Sequence, residues 1–323
     1  MTNNLNPKPP IVSVVMACYR EPLDWFGAAV DSILAQTLAD FEFIIVLDDP
    51  NNLSIREYLY QKQLSDGRIV IIENASNLGL AKSLMKGIEQ STGAFIARMD
   101  ADDVAYQERL KVQYQFLLAN QQVGLVGSAI ENIDELGNVL GKQYFQSDYA
   151  LMKKMIPYCS VACHPTWMFT KQAYDKIKGY RNLSTAQDYD FLYRLIDAEI
   201  EIHNLPVALL QYRIHNASIT SGMSLKRYKI RRYIHKLHHD RVRQGHDHFC
   251  EQELQHFIDQ ASPNKLVSKL LTQLRQSEQS NSPMKYVILP CLAILSNDIR
   301  QRITDHLKLK LLLAKHTKSQ DLS

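Results

Sequence analysis

Length, composition and charge indicate a globular protein and exclude two classes. The chain has 323 residues, of which 46% are hydrophobic and 22% charged, enough for one large α/β domain and a smaller appendage. A net charge of +3 is too small to predict nucleic-acid binding. The longest apolar stretch, 286–295, contains Pro290 and is much shorter than the roughly 20 residues that cross a bilayer.

The first residues and the cysteines predict a cytoplasmic protein. Residues 1–10 are polar and include three prolines, which is unlike a secretory signal. The five cysteines are scattered and odd in number, so they define no disulfide framework. They are Cys18, Cys159, Cys163, Cys250 and Cys291.

The first hundred residues alternate between two patterns. Continuous apolar runs predict buried strands, and apolar residues three and four apart predict helices. The strands are predicted at 11–18, 41–47, 68–72 and 94–99, and the helices at 25–36, 55–64 and 80–89. Repeated strand–helix–strand units predict an α/β fold with a mostly parallel sheet, which binds ligands at the carboxyl ends of its strands.

The pattern changes after residue 123. The turn-forming residues 134–138 predict a hairpin, and a helix over 189–198 and a strand over 208–214 follow. Beyond residue 221 the chain is predicted to be helical. We therefore predict a domain at 1–221 and a helical C-terminal extension at 222–323.

An acidic cluster directly follows the fourth predicted strand. Asp100, Asp102 and Asp103 fall within four residues, and their charges repel one another unless a cation lies among them. Mg²⁺ and Mn²⁺ take such oxygen ligands and bridge carboxylates to phosphates. The alternative is a solvated turn that caps the next helix. The position at the end of a buried strand favours the metal site.

Two other acidic positions allow a structural and a functional interpretation. Asp48 and Asp49 follow the second strand, where they could accept hydrogen bonds from a bound base or form a turn. Asp188 precedes a helix, where it could be an N-cap or a general base. The local patterns alone favour the turn and the cap.

Two nucleotide-binding folds are excluded by missing glycines. No Gly-x-Gly-x-x-Gly follows the first strand, as a dinucleotide-binding dehydrogenase requires. The chain also has no Gly-Lys-Ser/Thr phosphate loop.

A series of short motifs resembles the inverting family-2 glycosyltransferases of the GT-A fold, over about 10–221. Each motif is short, but their order and spacing match the family. They are VSVVMACY at 12–19, ILAQT at 33–37, the strand ending at Asp48 and Asp49, NLGLAK at 77–82, DAD at 100–102, HPTWMF at 164–169, QD at 187–188 and YRIH at 212–215. Gln187 replaces the family's usual Glu.

The resemblance implies transfer of a sugar from a nucleotide-diphosphate sugar, most simply a UDP-sugar, to a hydroxyl of a glycan or lipid-linked acceptor in surface polysaccharide assembly. It implies Asp188 as the general base and Mn²⁺ or Mg²⁺ as the cofactor, held by Asp102 and His215. It places His164 and Gln187 on the acceptor side. The implied donor-binding residues are Ala17, Tyr19, Asp48 or Asp49, Lys82, Asp100 and Asp102.

Several alternatives remain open. A sugar nucleotidyltransferase would need a Gly-rich, basic loop after the first strand, which this chain lacks; a third possibility is a non-catalytic nucleotide-sugar-binding module. His164 could instead pack near the core. A zinc site at Cys159, Cys163 and His164 is disfavoured because no second ligand pair has matching spacing.

The C-terminal extension contains a basic amphipathic segment. Eight Lys and Arg residues interleave with apolar ones over 225–243, and 298–315 repeats the pattern with Leu307, Leu311 and Leu312. Such helices either pack on the protein or bind an anionic membrane surface, here the inner face of the cell membrane. The histidines at 235, 238, 239, 246 and 248 are expected on the surface.

Overall fold

The computed structural model describes residues 9–215, 225–259, 269–270, 273–274, 284, 290 and 296–320. The chain divides into two compact units. The first comprises Met1–Met152 and Val161–His215, and the second Lys153–Ser160 and Asn216–Ser323. The predicted boundary after residue 221 lies outside the described residues and stays a prediction.

The first unit alternates strands and helices as predicted. Its strands are β1 (Val12–Cys18), β2 (Phe41–Leu47), β3 (Ile69–Glu73), β4 (Phe95–Asp100), β5 (Val104–Ala105), β6 (Val123–Ile133), β7 (Val139–Gln143), β8 (Met168–Thr170) and β9 (Glu201–Arg213). Its helices are α1 (Leu23–Leu34), α2 (Leu53–Ser65), α3 (Leu80–Glu89), α4 (Arg109–Ala119), α6 (Lys171–Lys176) and α7 (Gln187–Asp197). Helix α5 (Tyr149–Met155) contains the point where the chain leaves this unit.

One sheet runs through the first unit in the order β3-β2-β1-β4-β8-β6-β9-β5, and β7 pairs with β6. Strands β1 to β4 are parallel, and β6 is parallel to β9. Strand β8 is antiparallel to β4 and β6, β5 is antiparallel to β9, and β6–β7 is the predicted hairpin. The α/β fold class is confirmed, with the parallel half formed by the first four strands.

Most residues of β1 and β2 are apolar and buried, as is usual when helices cover both faces of a parallel sheet. Helix α3 packs very closely on this sheet at Gly87. A Cβ atom there would lie only 2.7 Å from Val15 Cγ1, so the close approach requires glycine.

Strand register brings three chain segments to one edge of the sheet. Ala17 pairs with Val46 of β2 on one side and with Asp100 of β4 on the other. Tyr19, Asp48 and the acidic cluster therefore follow neighbouring strands at the same end. This is the edge where α/β proteins bind ligands.

The second unit contains C-terminal helices, as predicted, with non-helical residues at 245–250. It contains α8 (Leu225–Gln244), α9 (Glu251–Asp259) and a helix over Asn297–Gln320, called the C-terminal helix below. Ile230, Tyr233, Ile234 and Leu237 of α8 are buried, and the rings of Tyr233 and Phe257 lie 5.7 Å apart. None of the helices in the described part of the chain combines the length and apolar character needed to cross a bilayer.

Candidate active site

The acidic cluster is a compact group of carboxylates at the end of β4. One carboxylate oxygen from each of Asp100, Asp102 and Asp103 lies within 4.8 Å of the other two. Asp103 is only 1% exposed, and its Oδ1 accepts a hydrogen bond from the backbone N–H of Arg213 (2.8 Å). Within the described residues, Asp103 Oδ2 is buried and has no hydrogen-bond partner. A buried, unpaired carboxylate oxygen beside two more carboxylates fits a divalent cation that takes oxygen ligands.

The carboxylates oppose one another electrostatically. Burial raises the pKa of Asp103 well above its usual value, and the charges of Asp100 and Asp102 raise it further. Burial also raises the pKa of Asp100, although the neighbouring Arg98 counteracts part of this. The fully ionised cluster is therefore unfavourable until a positive charge joins it.

Two buried arginines lie beneath the cluster. Arg98, in the middle of β4, is 3% exposed and forms an ion pair with Asp100. Arg109 is fully buried at the start of α4, and its Nη2 donates to the carbonyl oxygen of Arg98 (2.5 Å). Burial, followed by repulsion from Arg98, lowers the pKa of Arg109 to about 10. The sequence analysis did not identify either residue, although an arginine inside an apolar strand was a visible signal.

The end of β9 holds the acidic cluster from the other side. His215 Nε2 lies 2.9 Å from Asp102 Oδ2, so the structure brings together the two residues assigned to the metal. Arg213 Nε donates to the carbonyl oxygen of Asp102 (2.9 Å). Arg213 thus binds two consecutive residues of the cluster, a role that the sequence analysis missed.

Asp48 and Asp49 have different environments. Asp48 Oδ1 accepts from Asn74 Nδ2 and the N–H of Leu78 (both 2.8 Å), and its Oδ2 accepts from the N–H of Gly79 (2.9 Å). Both oxygens of Asp48 therefore hold the turn before α3. Asp49 Oδ2 instead accepts from Nε of Arg20 (2.6 Å), whose side chain is largely exposed.

The other donor-side residues differ in exposure. Ala17 and Tyr19 are half-buried at the end of β1, and the Arg20 guanidinium lies 4.7 Å from the centre of the Tyr19 ring. Lys82 is exposed and makes no hydrogen bond or ion pair with the described residues. Glu21 was not predicted; its Oε2 accepts from the N–H of Tyr19 (2.8 Å), and its pKa is raised by burial and, less strongly, by Asp102 and Asp100.

Asp188 is not an N-cap, so that interpretation of the local pattern was wrong. Helix α7 begins at Gln187, and the N-cap is Ala186 in a left-handed conformation (φ 61°). Asp188 is therefore in the first turn, where the helix dipole favours a negative charge. It is half-buried, and its negative charge is among those that raise the pKa of Asp100 in the acidic cluster. Gln187 beside it is buried.

His164 is packed among aromatic rings. Its Nε2 lies 2.7 Å from the hydroxyl oxygen of Tyr180, and its ring lies 4.6 Å from that of Trp167. Burial lowers the pKa of His164 well below its usual value, so the ring is neutral at pH 7. Within the described residues, the group of three or more clustered metal ligands is the acidic cluster, and Cys159, Cys163 and His164 form no such group.

Replacing Asp103 by Asn should stabilise the metal-free protein. Because the folded-state pKa of Asp103 lies above its unfolded value, the folded state loses stability as pH rises between the two values. Asn keeps an oxygen for the N–H of Arg213 and removes the charge. At pH 7 in EDTA we expect Asp103→Asn to melt at a higher temperature than the wild type, by roughly 2–4 °C for each kcal/mol of stability gained.

Thermal unfolding at pH 5 and pH 7 measures this effect, with the exposed Asp24→Asn as control. The gain should shrink at the lower pH. A lower melting temperature for Asp103→Asn at pH 7 would contradict the electrostatic interpretation of the cluster.

Comparison with known proteins agrees with this geometry. Residues 13–178 match the family model described as Glycosyl transferase family 2. An uncharacterised glycosyltransferase of Methanocaldococcus jannaschii is 38% identical over 209 residues, which cover 64% of this chain and 72% of that protein. The O-antigen biosynthesis glycosyltransferase WbnJ of Escherichia coli is 33% identical over 226 residues, covering 69% and 87%.

Solved structures show the same fold. The crystal structure of S. aureus TarS in complex with UDP has a TM-score of 0.55 and 15% identity, and the match covers 77% of this chain and 70% of that chain. At this identity the likeness concerns the fold alone. Together with the sequence matches, it shows that the chain belongs to glycosyl transferase family 2.

Proposed function

We propose that the protein transfers a sugar from a UDP-sugar to a hydroxyl of a glycan or lipid-linked acceptor, with inversion, during surface polysaccharide assembly at the cytoplasmic face of the membrane. The main support is the acidic cluster, which lies beside the ends of β1 and β2 and close to Asp188. The name of the E. coli relative, an O-antigen biosynthesis enzyme, supports the pathway class. The UDP bound to TarS supports the nucleotide.

In this proposal the nucleoside binds at the ends of β1 and β2. Tyr19 flanks the base from the loop that follows Ala17. Asp49 is better placed than Asp48 to accept hydrogen bonds from the base, because both oxygens of Asp48 hold the turn before α3, whereas one partner of Asp49 is the exposed Arg20 side chain. Its other oxygen accepts from the N–H of Asn51. The exposed Arg20 side chain can leave Asp49 when the base arrives, and Lys82 is free to approach the diphosphate.

The diphosphate binds next to the acidic cluster. Asp102 and His215 would hold Mn²⁺ or Mg²⁺, and Asp103 Oδ2 offers a further oxygen from below. A bound divalent ion supplies Lewis-acid stabilisation of the negative charge that develops on the departing diphosphate. Arg98 and Arg213 keep the carboxylates close together so that they are arranged for the ion before it binds.

Asp188 acts on the acceptor. The acceptor oxygen forms a bond to the anomeric carbon while the bond from that carbon to the diphosphate oxygen breaks, which releases UDP. The proton of the acceptor hydroxyl passes to the Asp188 carboxylate. Attack from the face opposite the leaving group inverts the anomeric configuration. Gln187 and His164 lie on the acceptor side, His164 as a neutral ring hydrogen-bonded to Tyr180.

Nucleotide release tests the proposal. With a panel of UDP-sugars and an acceptor glycan, we expect UDP formation that EDTA suppresses and that Mn²⁺ or Mg²⁺ restores. A sugar nucleotidyltransferase would instead exchange pyrophosphate, and a binding module would bind the UDP-sugar without releasing UDP. Full activity in EDTA after removal of bound metal would contradict the metal assignment.

Replacing Asp188 by Asn should stop transfer without preventing donor binding. The amide cannot take the acceptor proton, so we expect kcat to fall by about 10²–10⁴-fold. The affinity for UDP, measured calorimetrically in the presence of Mn²⁺, should be roughly unchanged because Asp188 does not hold the nucleotide. Asp175→Asn, an exposed residue of α6, is the matched control. Wild-type kcat in Asp188→Asn would refute the base assignment.

We also propose that the C-terminal helix binds an anionic membrane surface. Many cations of the basic helix α8 already have partners within the second unit: Arg232 pairs with Asp298, Lys236 with Glu253 and Arg241 with Asp247. On the C-terminal helix, Leu307 and Leu311 are 54% and 63% exposed. They are accompanied by the exposed lysines Lys308, Lys310 and Lys315. Exposed leucines flanked by lysines suit the boundary between acyl chains and anionic headgroups.

Sedimentation with anionic vesicles tests the membrane proposal. At low salt the protein should bind phosphatidylglycerol vesicles, and Leu307→Gln with Leu311→Gln should weaken the partition at least about tenfold. Leu64→Gln, a similarly exposed leucine of α2, should have no effect. Equal binding by the double variant and the wild type would contradict this assignment.

A further inference from the structure

One half-buried aromatic residue lies beside the acidic cluster without a role in the proposed reaction. Trp25 is in the first turn of α1. Its Nε1 donates to the carbonyl oxygen of Glu135 in the β6–β7 turn (3.2 Å). Its ring centre lies 5.1 Å from that of His215, with the planes inclined by 58°. The guanidinium carbon of Arg213 lies 5.1 Å from the same ring.

His215 and Arg213, whose side chains lie against the Trp25 ring, are also the residues that bind the acidic cluster from the end of β9. Arg213 donates to Asp103 Oδ1 and to the carbonyl oxygen of Asp102. His215 contacts Asp102 through Nε2. Trp25 therefore contacts Arg213 and His215, through which the end of β9 binds the acidic cluster.

The position of the His215 side chain depends more on contacts with other side chains than the position of Arg213 does. Strand β9 ends at Arg213, so His215 lies beyond the sheet. Its hydrogen bond and its ring contact in the described part of the chain are with Asp102 and Trp25. Arg213 has further hydrogen bonds, to the carbonyl oxygens of Asp134 and Glu135. Loss of the Trp25 ring would therefore free His215 first.

The hydrogen bond of Trp25 fixes where its ring lies. Asp134 accepts hydrogen bonds from the N–H groups of Leu136 and Asn138 and from Asn138 Nδ2, so the β6–β7 turn is well ordered internally. Trp25 is anchored to this turn at Glu135 and presents its ring to His215. Partners of this kind orient a metal ligand and commonly change metal affinity when they are removed.

We propose that Trp25 is a positioning residue that holds the His215 ring against Asp102 and so sets the affinity for the metal and the donor diphosphate. The inference rests on the proposed function, in which Asp102 and His215 hold the ion. Trp25 itself touches neither the base nor the acceptor in this scheme. Its removal should therefore affect metal binding and leave metal-free nucleotide binding unchanged.

Mn²⁺ binding without turnover tests the proposal. The free ion is followed by electron paramagnetic resonance in the presence of UDP. Trp25→Ala should raise the Kd for Mn²⁺ about tenfold or more. Trp25→Phe keeps an aromatic face towards His215 but loses the hydrogen bond to Glu135, so its Kd should lie between those of the wild type and Trp25→Ala. Leu23→Ala, which changes an exposed residue of the same helical turn, should match the wild type.

A second comparison asks whether Trp25 acts through His215. Adding Trp25→Ala to His215→Ala should weaken Mn²⁺ binding by no more than about twofold beyond His215→Ala alone, because the two changes remove the same contact. Thermal unfolding shows whether each variant folds. If Trp25→Ala does not fold, Trp25→Leu, which keeps bulk without an aromatic face, takes its place.

Three results would overturn the positioning role. They are wild-type Mn²⁺ affinity in Trp25→Ala, a loss in Trp25→Phe larger than in Trp25→Ala, and fully additive losses in the double variant. A wild-type protein that binds no Mn²⁺ in the presence of UDP would instead contradict the metal assignment on which the inference rests. The two failures are therefore distinguishable.

Discussion

Mutual repulsion of three carboxylates at the end of β4 is the constraint around which the first unit is organised. Their ligand oxygens lie within 4.8 Å, and burial makes their charges more costly than in water. Arg98 counters this from inside the sheet, and the backbone N–H of Arg213 binds Asp103 from the neighbouring end of β9. The cluster is thus held in an arrangement that it would not adopt alone. A cation among these carboxylates would offset the repulsion that folding imposes on them.

The second half of the sheet departs from simple strand–helix alternation. After Asp103 the chain forms β5, which pairs with β9, and β9 runs parallel to β6. This arrangement returns a segment more than 100 residues away to the cluster, where it supplies Arg213 and His215. The additional strands therefore bring the end of β9 into contact with the acidic cluster.

The fold could be predicted where apolar residues follow one another or recur at a regular spacing. Strands β1 to β4 are long apolar runs, and their alternation with helices identified the fold class. Helix α4 was not predicted because its buried face includes Arg109 and Gln113, which bind backbone carbonyls and leave no apolar stripe. Strand β8 has three residues, too few for any periodicity to show. Strand β9 begins at Glu201, earlier than predicted. Its first part mixes polar with apolar residues and contains Pro206, so the sequence there shows no apolar run.

Residue types identified the candidate site, but they did not predict which contacts each residue makes within it. Two adjacent aspartates look equivalent in the sequence; hydrogen bonds from Leu78 and Gly79, some 30 residues away, distinguish Asp48 from Asp49. Capping by Asp188 was a reasonable inference from its type, but Ala186 adopts a left-handed conformation that a local pattern does not reveal. Trp25 escaped notice because its partners come from two distant segments.

The pairing of Ala17 with Asp100 fixes the spacing between the end of β1 and the acidic cluster. Each residue along a strand advances the chain by about 3.3 Å, so a single insertion in β1 or β4 would shift Tyr19 relative to the acidic cluster by about that distance. Helices, loops and the hairpin can change in length without altering this spacing, because the pairing of β1 with β2 and β4 sets it. Insertions and deletions that preserve this end of the sheet are therefore expected in the connections and not in the paired strands.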